Sequence, residues 1–343
     1  MSVSSPLKFL MPGWFALVMG LAGLSLAWHA AQGLLGEMAV GFSLIVGAAA
    51  CLVFAGLAVA SLLRWQRHAQ ALADDLKHPV RHAFVAAVPV SLLLLANVGV
   101  ALDGHAGTLL PLWHALWWAG SLGQIWATLW VLGRWLSPVV AAPGGQGPAS
   151  AWPAVTPVLL IPVVGNVVVP LAGLPLGHGL WSAAQFGVGA FLWPVVVGLL
   201  LVRRIAHSPL PERILPAWFI TVAPPAVIGL VLLRMQAPSA VVLALWGVSL
   251  FFLAWVAPLV RRIAAQPFSV AFWGLSFPLT ALATLTLRLA EPSQGGAIVP
   301  QTLAVLMLAI SSIVILWLCF ATVRGLRDGS LLAPEPVAAI QPA

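Results

Sequence analysis

One ring, one proline and three hydroxyls stand together in the segment FWGLSFPLTALATLTL, residues 272–287. Ser276, Thr280 and Thr284 are four residues apart, so a helix sets them on one face. Phe277 stands beside that face, and Pro278 follows it. A hydroxyl can contact water or an anion without carrying charge, and equally it can bond a carbonyl of its own helix. Both uses stay open at this point. A bulky ring at the same depth suits a hydrophobic constriction, which gates by dewetting. Ser91 and Thr221, close to Pro89 and Pro224, complete the hydroxyls that are candidates for lining a path.

Ionisable groups that would do acid–base or coupled-ion chemistry are missing from the same depth. No Asp, Glu, Lys or Arg falls in the middle of any apolar run, whereas proton relays and ion-coupled pumps use such groups. A cation path would want acidic rings or carbonyl arrays, and an uncharged, hydroxyl-lined path favours an anion. Arg234 and Arg288 stand at the far ends of two proline-bearing runs. They either form a positive, anion-attracting mouth or snorkel to the interface. His78 and His82 in KHPVRH have Pro79 between them and no third ligand nearby, and Cys51 and Cys319 lie alone in apolar runs. No catalytic set, metal site or cofactor motif emerges, so the expectation is neither an enzyme nor a metalloprotein. Asn97, Gln124 and Asn166 read as polar glue between helices.

The elements that must position these residues follow from composition. Of 343 residues 62% are hydrophobic and 7% charged, and the mean hydropathy is +1.06. Soluble domains carry about 25% charged residues, so the solvent that suits this chain is a bilayer. The runs are apolar on every face, which excludes a β-barrel. The +7 charge is scattered in short clusters between the runs, so it is a topology signal and not a nucleic-acid surface. Ten spans are predicted, at roughly 14–35, 39–63, 82–102, 111–136, 152–174, 178–201, 214–235, 238–262, 268–289 and 298–323. Thirteen of the fifteen Lys and Arg fall on one side, leaving Arg234 and Arg288 on the other. Both termini are therefore expected in the cytoplasm. Residues 1–13 form a cytoplasmic N-terminal segment, 14–325 the membrane domain and 326–343 a disordered cytoplasmic tail, with a flexible linker at 137–150.

Short turns join each odd span to the next even one, giving five helical hairpins. Odd spans three, five, seven and nine carry Pro89, Pro162, Pro224 with Pro225, and Pro278; span one has Gly20 and Gly23 instead. Each interior proline is expected to kink its helix and free a carbonyl, at ~3 kcal/mol, near Val85, Val158, Ile220, Thr221 and Gly274. Kinks at matching depth in alternate helices are tolerable around a shared water-filled path. Pro194 in span six departs from the alternation.

The segments PGWFALVMGLAGLSLAW, HPVRHAFVAAVPVSLLLLA, LWWAGSLGQIWATLW, TPVLLIPVVGNVVVPLAG, RILPAWFITVAPPAVIGL, LWGVSLFFLAWVAPLVRRI and FSVAFWGLSFPLTALATLTL occur in that order. Together they resemble the tellurite-resistance/dicarboxylate transporter (TDT) family, TehA-like and related to the slow-type anion channels of plant guard cells, over about residues 10–325. The resemblance implies an all-α integral membrane protein, ten transmembrane helices forming five hairpins around a quasi-five-fold central pore. Odd helices would form the inner ring and even helices the outer. It also implies a pore occluded by a phenylalanine of helix nine, matched here by Phe277, and a homotrimer in a bacterial inner membrane. The function expected is an anion channel or facilitator for small inorganic or organic anions. The alternative is a proton-coupled carrier of C4-dicarboxylate, sulfite or tellurite-type oxyanions, and a sensory protein without transport stands behind both.

Overall fold

A computed structural model describes residues 6–103, 107–136, 152–207, 209–291 and 297–333. The linker expected at 137–150 and the last ten residues of the expected tail lie outside the described residues. The principal helices are α1 (Ala16–Ala30), α2 (Glu37–Arg67), α3 (Ala87–Asp103), α4 (Leu110–Gly133) and α5 (Leu160–Gly173). They continue with α6 (Gly179–Ala206), α7 (Ala223–Arg234), α8 (Ser239–Val256), α9 (Ser276–Ala290) and α10 (Gln301–Arg327). Short helices at Gln32–Leu35, Ala69–Lys77 and Leu259–Ala264 serve the connections, and no strand occurs among the described residues.

Eight helical spans among the described residues are long and apolar enough to cross a membrane, not the ten expected. The two that fall short have separate causes. Helix α4 is long enough, but five tryptophans, His114 and Gln124 dilute its hydropathy. The span containing α5 is short, running only from Pro157 to Gly173.

Burial alternates along the chain. Four odd-numbered spans bury 72–89% of their apolar windows, and four even-numbered spans only 17–28%. Every odd helix packs on the even helix that follows it. The odd helices also touch one another in sequence, α1 on α3, α3 on α5, α5 on α7, α7 on α9, and α9 back on α1. Those contacts close a cycle. The even helices turn Leu52, Trp126, Leu129, Phe191, Phe251 and Phe320 outward. Exposed apolar area costs about 25 cal/mol per Å² in water, so this surface requires lipid or another apolar neighbour. The molecule is a multi-pass membrane protein.

The prolines sit where the helix type changes. Each odd helix is entered through a 3₁₀ stretch: Pro12–Phe15, Arg81–Ala86, Pro157–Leu159, Glu212–Val222 and Val270–Leu275. The α-helix then begins, and Pro89, Pro162, Pro225 and Pro278 are each its third residue. Pro224 is the second residue of α7. A first-turn amide has no α-helical partner, so proline's missing N–H costs little there, and its fixed φ suits the turn. The expected interior kinks are thus 3₁₀-to-α junctions, without the full interior penalty. Pro170, which the sequence pattern passed over, does lie inside α5. Pro194 lies inside α6, which continues through it.

Helix α1 runs unbroken through Gly20 and Gly23. They let α9 approach. A Cβ on Gly20 would come 2.4 Å from Ser276 Oγ, and one on Gly23 would come 2.3 Å from Thr280 Oγ1. Side-chain donors tie the odd helices to the even ones. Trp117 Nε1 donates to the Val169 carbonyl at 2.9 Å, Trp273 Nε1 to Thr322 at 2.9 Å, and Trp246 Nε1 to Thr286 at 3.0 Å. Gln124, Thr128 and Asn166 all donate to the Pro162 carbonyl, at 2.7, 3.0 and 2.7 Å. Asn166 also donates to Thr128 of α4 at 2.7 Å, and in hydrocarbon bonds between helices, such as this one and that of Gln124, register neighbouring helices.

Candidate functional site

Two cavities lie along the cycle of odd helices, and Phe277 lines both. Among the described residues it is the one residue they share. The first, at the C-terminal ends of the odd helices, measures about 390 Å³. The second, at their N-terminal ends, measures about 370 Å³. We call them the C-end and N-end cavities.

The C-end cavity takes its walls from α1, α3, α7 and α9, with Leu171 of α5 and Pro175 just beyond it. No even helix contributes. The lining residues recur one helical turn apart: Gly23 and Leu26 on α1, Leu94 and Asn97 on α3, Val227 and Leu230 on α7, Ala281 and Thr284 on α9. Such spacing presents one stripe per helix to a common space. The N-end cavity continues these stripes through Ala16 and Met19, Ile161 and Val164, Ile220 and Ala223, and Gly274. Phe84, Phe268 and Trp273 enlarge its apolar wall, and His78, Arg81 and Arg213 also line it. Ser330, Leu331 and Ala333, just past α10, also line it.

Phe277 is 6% exposed and sits one residue before Pro278, at the 3₁₀-to-α junction of α9. A Cβ on Gly23 would reach 3.3 Å from its Cδ2, so the glycine of α1 gives the ring its room. The placement follows from local chemistry: the junction fixes where α9 starts, and the ring is the second residue of that helix.

The other expected residues divide. Ser276 donates to the Trp273 carbonyl at 2.7 Å, and Thr280 to the Phe277 carbonyl at 2.9 Å. Both are buried against Gly20 and Gly23, and neither lines a cavity. Thr221 donates to the Trp218 carbonyl at 2.7 Å, and Ser91 to the Ala87 and Phe15 carbonyls at 2.7 and 3.2 Å. These four hydroxyls bond backbone carbonyls and are absent from the linings of both cavities; hydrocarbon leaves a hydroxyl few partners except its own helix. Thr284 does line the C-end cavity, but its hydrogen is committed to the Thr280 carbonyl at 2.8 Å. Pro278 lines the N-end cavity; Pro89, Pro162, Pro224 and Pro225 line neither.

Arg234 and Arg288 come together at the C-end cavity. Arg234 donates to the Leu171 carbonyl at the end of α5, and Arg288 pairs with Glu291 at 3.3 Å. Two lining residues that sequence reading did not single out for the path are His29 and Asn97. The only sequence signal would have been a polar side chain inside an odd span. No group of three or more metal-ligating side chains is present among the described residues.

The chain matches the family model described as SLAC1, voltage-dependent anion channel, over residues 10–323. It belongs to that family. Among its relatives, an uncharacterised transporter of Methanocaldococcus jannaschii is 28% identical over 307 residues, covering 80% of this chain and 82% of the relative. A tellurite resistance protein TehA homolog of Haemophilus influenzae is 26% identical over 294 residues, covering 82% of each. The S-type anion channel SLAH2 of Arabidopsis thaliana is 26% identical over 230 residues, covering 66% of this chain and 42% of the plant protein. The protein is therefore an anion channel or transporter of the SLAC1/TDT family.

Proposed function

We propose that the protein passes small anions through the space enclosed by α1, α3, α5, α7 and α9, with Phe277 as the gate. The observation that carries this reading is the position of the ring, which lines both cavities and stands between them. The cycle of odd-helix contacts supports an inner ring with quasi-five-fold pseudo-symmetry. Counting α4 and the span of α5 as membrane-crossing gives ten spans in five hairpins. The exposed apolar faces of the even helices suit lipid and subunit contacts, and a homotrimer is the assembly proposed. The distribution of basic residues supports both termini on the cytoplasmic side of a bacterial inner membrane. The C-end cavity then faces outward.

A passive path is favoured over a proton-coupled carrier by the lack of Asp and Glu among the residues lining the C-end cavity and the gate. Anion efflux from liposomes tests both parts. Phe277→Ala is expected to release trapped anion far faster than the wild type, with a rate linear in concentration. Efflux at the wild-type rate removes the ring from the gate, and efflux that saturates and follows a pH gradient selects the carrier of dicarboxylate or other oxyanions.

A further inference from the structure

The C-end cavity holds a buried amide without a complete set of partners. Asn97 is 3% exposed, lines the cavity, and its Oδ1 has no hydrogen-bond partner. A buried, unpaired amide costs about 1–3 kcal/mol. Its neighbours on the same stripe, Leu94 and Val100, are apolar, so this is the one amide presented there by α3. A half-turn of the side chain offers the cavity either its oxygen or its NH₂.

Other donors converge on the same space from other helices. His29 of α1 lines the cavity, and its Nδ1 is buried without a partner. Arg234 of α7 gives one N–H to the Leu171 carbonyl and retains donors beyond it. Among the described residues no carboxylate lies within ion-pair distance of Arg234, whereas Arg288 is offset by Glu291. Thr284 cannot donate while it is bonded to Thr280. The space therefore offers the Asn97 amide, turned to present its NH₂, the His29 imidazole and the spare N–H groups of Arg234, carries one uncompensated cation, and has no carboxylate in its lining.

We infer that the C-end cavity is a resting site for a small anion, bound through the Asn97 amide and His29 imidazole with Arg234 supplying the charge. The inference rests on the reading of this cavity as part of an anion path, and it adds a place within that path where the ion is held. Uncharged donors grip the ion while a single unpaired guanidinium attracts it, which permits binding weak enough to allow exit.

Thermal unfolding of the purified wild-type protein, in bromide against gluconate at equal ionic strength, tests the site without requiring conduction. A saturable rise in Tm with bromide is expected, since a ligand bound only by the folded state stabilises it. Asn97→Asp and His29→Gln are expected to lose most of that rise. Asn97→Leu serves as a second variant should Asn97→Asp fail to fold. A wild-type Tm indifferent to bromide overturns the site, as does a rise that survives substitution at both Asn97 and His29. A conducting Phe277→Ala beside a bromide-indifferent wild type retires this site and leaves the gate standing. A non-conducting Phe277→Ala with an intact bromide effect does the reverse.

Discussion

The two cavities on either side of Phe277 are nearly equal in size and draw on the same helices, yet their linings differ in kind. The C-end cavity presents His29, Asn97, Arg234 and Arg288 close to the ring's outer side. The N-end cavity presents Met19, Phe84, Phe268 and Trp273, with His78, Arg81, Arg213 and Gln266 also in its lining. The difference comes from His29 on α1, Asn97 on α3 and the arginines ending α7 and α9, whereas α5 stays apolar through Ile161, Val164 and Leu171. The ring marks the change. In the path proposed above, an ion leaving the C-end cavity meets the ring, and dewetting there is the proposed closed state.

Substitutions at the divide have the largest expected effect. Phe277→Ala should raise anion efflux by at least about tenfold, a barrier change of roughly 1.4 kcal/mol, while Phe277→Trp should keep the path closed. Efflux from the two variants at one rate would erase the distinction between the cavities. Next in size are the glycines that seat α9. Gly20→Leu should destabilise the fold by about 1–3 kcal/mol through overpacking against Ser276 and Trp273, read as a lower Tm and yield. Gly23→Ala sets a Cβ against Thr280 Oγ1 and the Phe277 ring and should also lower Tm, by less than Gly20→Leu.

Charge comes third. In the Phe277→Ala background, Arg234→Gln should slow efflux roughly threefold by lowering the local anion concentration, and Arg288→Gln less, because Glu291 already offsets it. Equal effects from the two would mean that the ion pair is not formed in the membrane. The smallest effect is expected from the hydroxyls. Thr280→Val and Ser91→Ala in the same background should leave efflux unchanged within about twofold, since both hydroxyls serve backbone carbonyls. A large loss of efflux from either would return them to the lining.

Much of this was legible in the sequence. Composition alone established a helical membrane protein, the recurrence of proline in odd spans pointed to a shared path, and the resemblance implied buried odd helices and outer even ones. The resemblance supplied Phe277, and the structure sets that residue between two cavities. What escaped was direction and junction type. Ser276 and Thr284 share a face on a helical wheel, but only Thr284 meets a cavity, because Gly20 and Gly23 bring α1 against the upper part of that face. The prolines read as interior kinks because the buried residues of the 3₁₀ entry stretches, 215–222 in the longest, run straight on into the α-helices they lead into. Asn97 looked like glue because polar residues in membrane helices usually are; what sets it apart from Gln124 and Asn166, whose side-chain oxygens are likewise unpartnered, is that it lines a cavity.

The central claim is that one ring separates two halves of a single anion conduit. Single-channel recording of Phe277→Ala in a bilayer with an anion gradient tests it most directly. The account predicts discrete currents absent from the wild type, reversing near the anion equilibrium potential. Silence from Phe277→Ala, or currents that reverse at the cation potential, would contradict it.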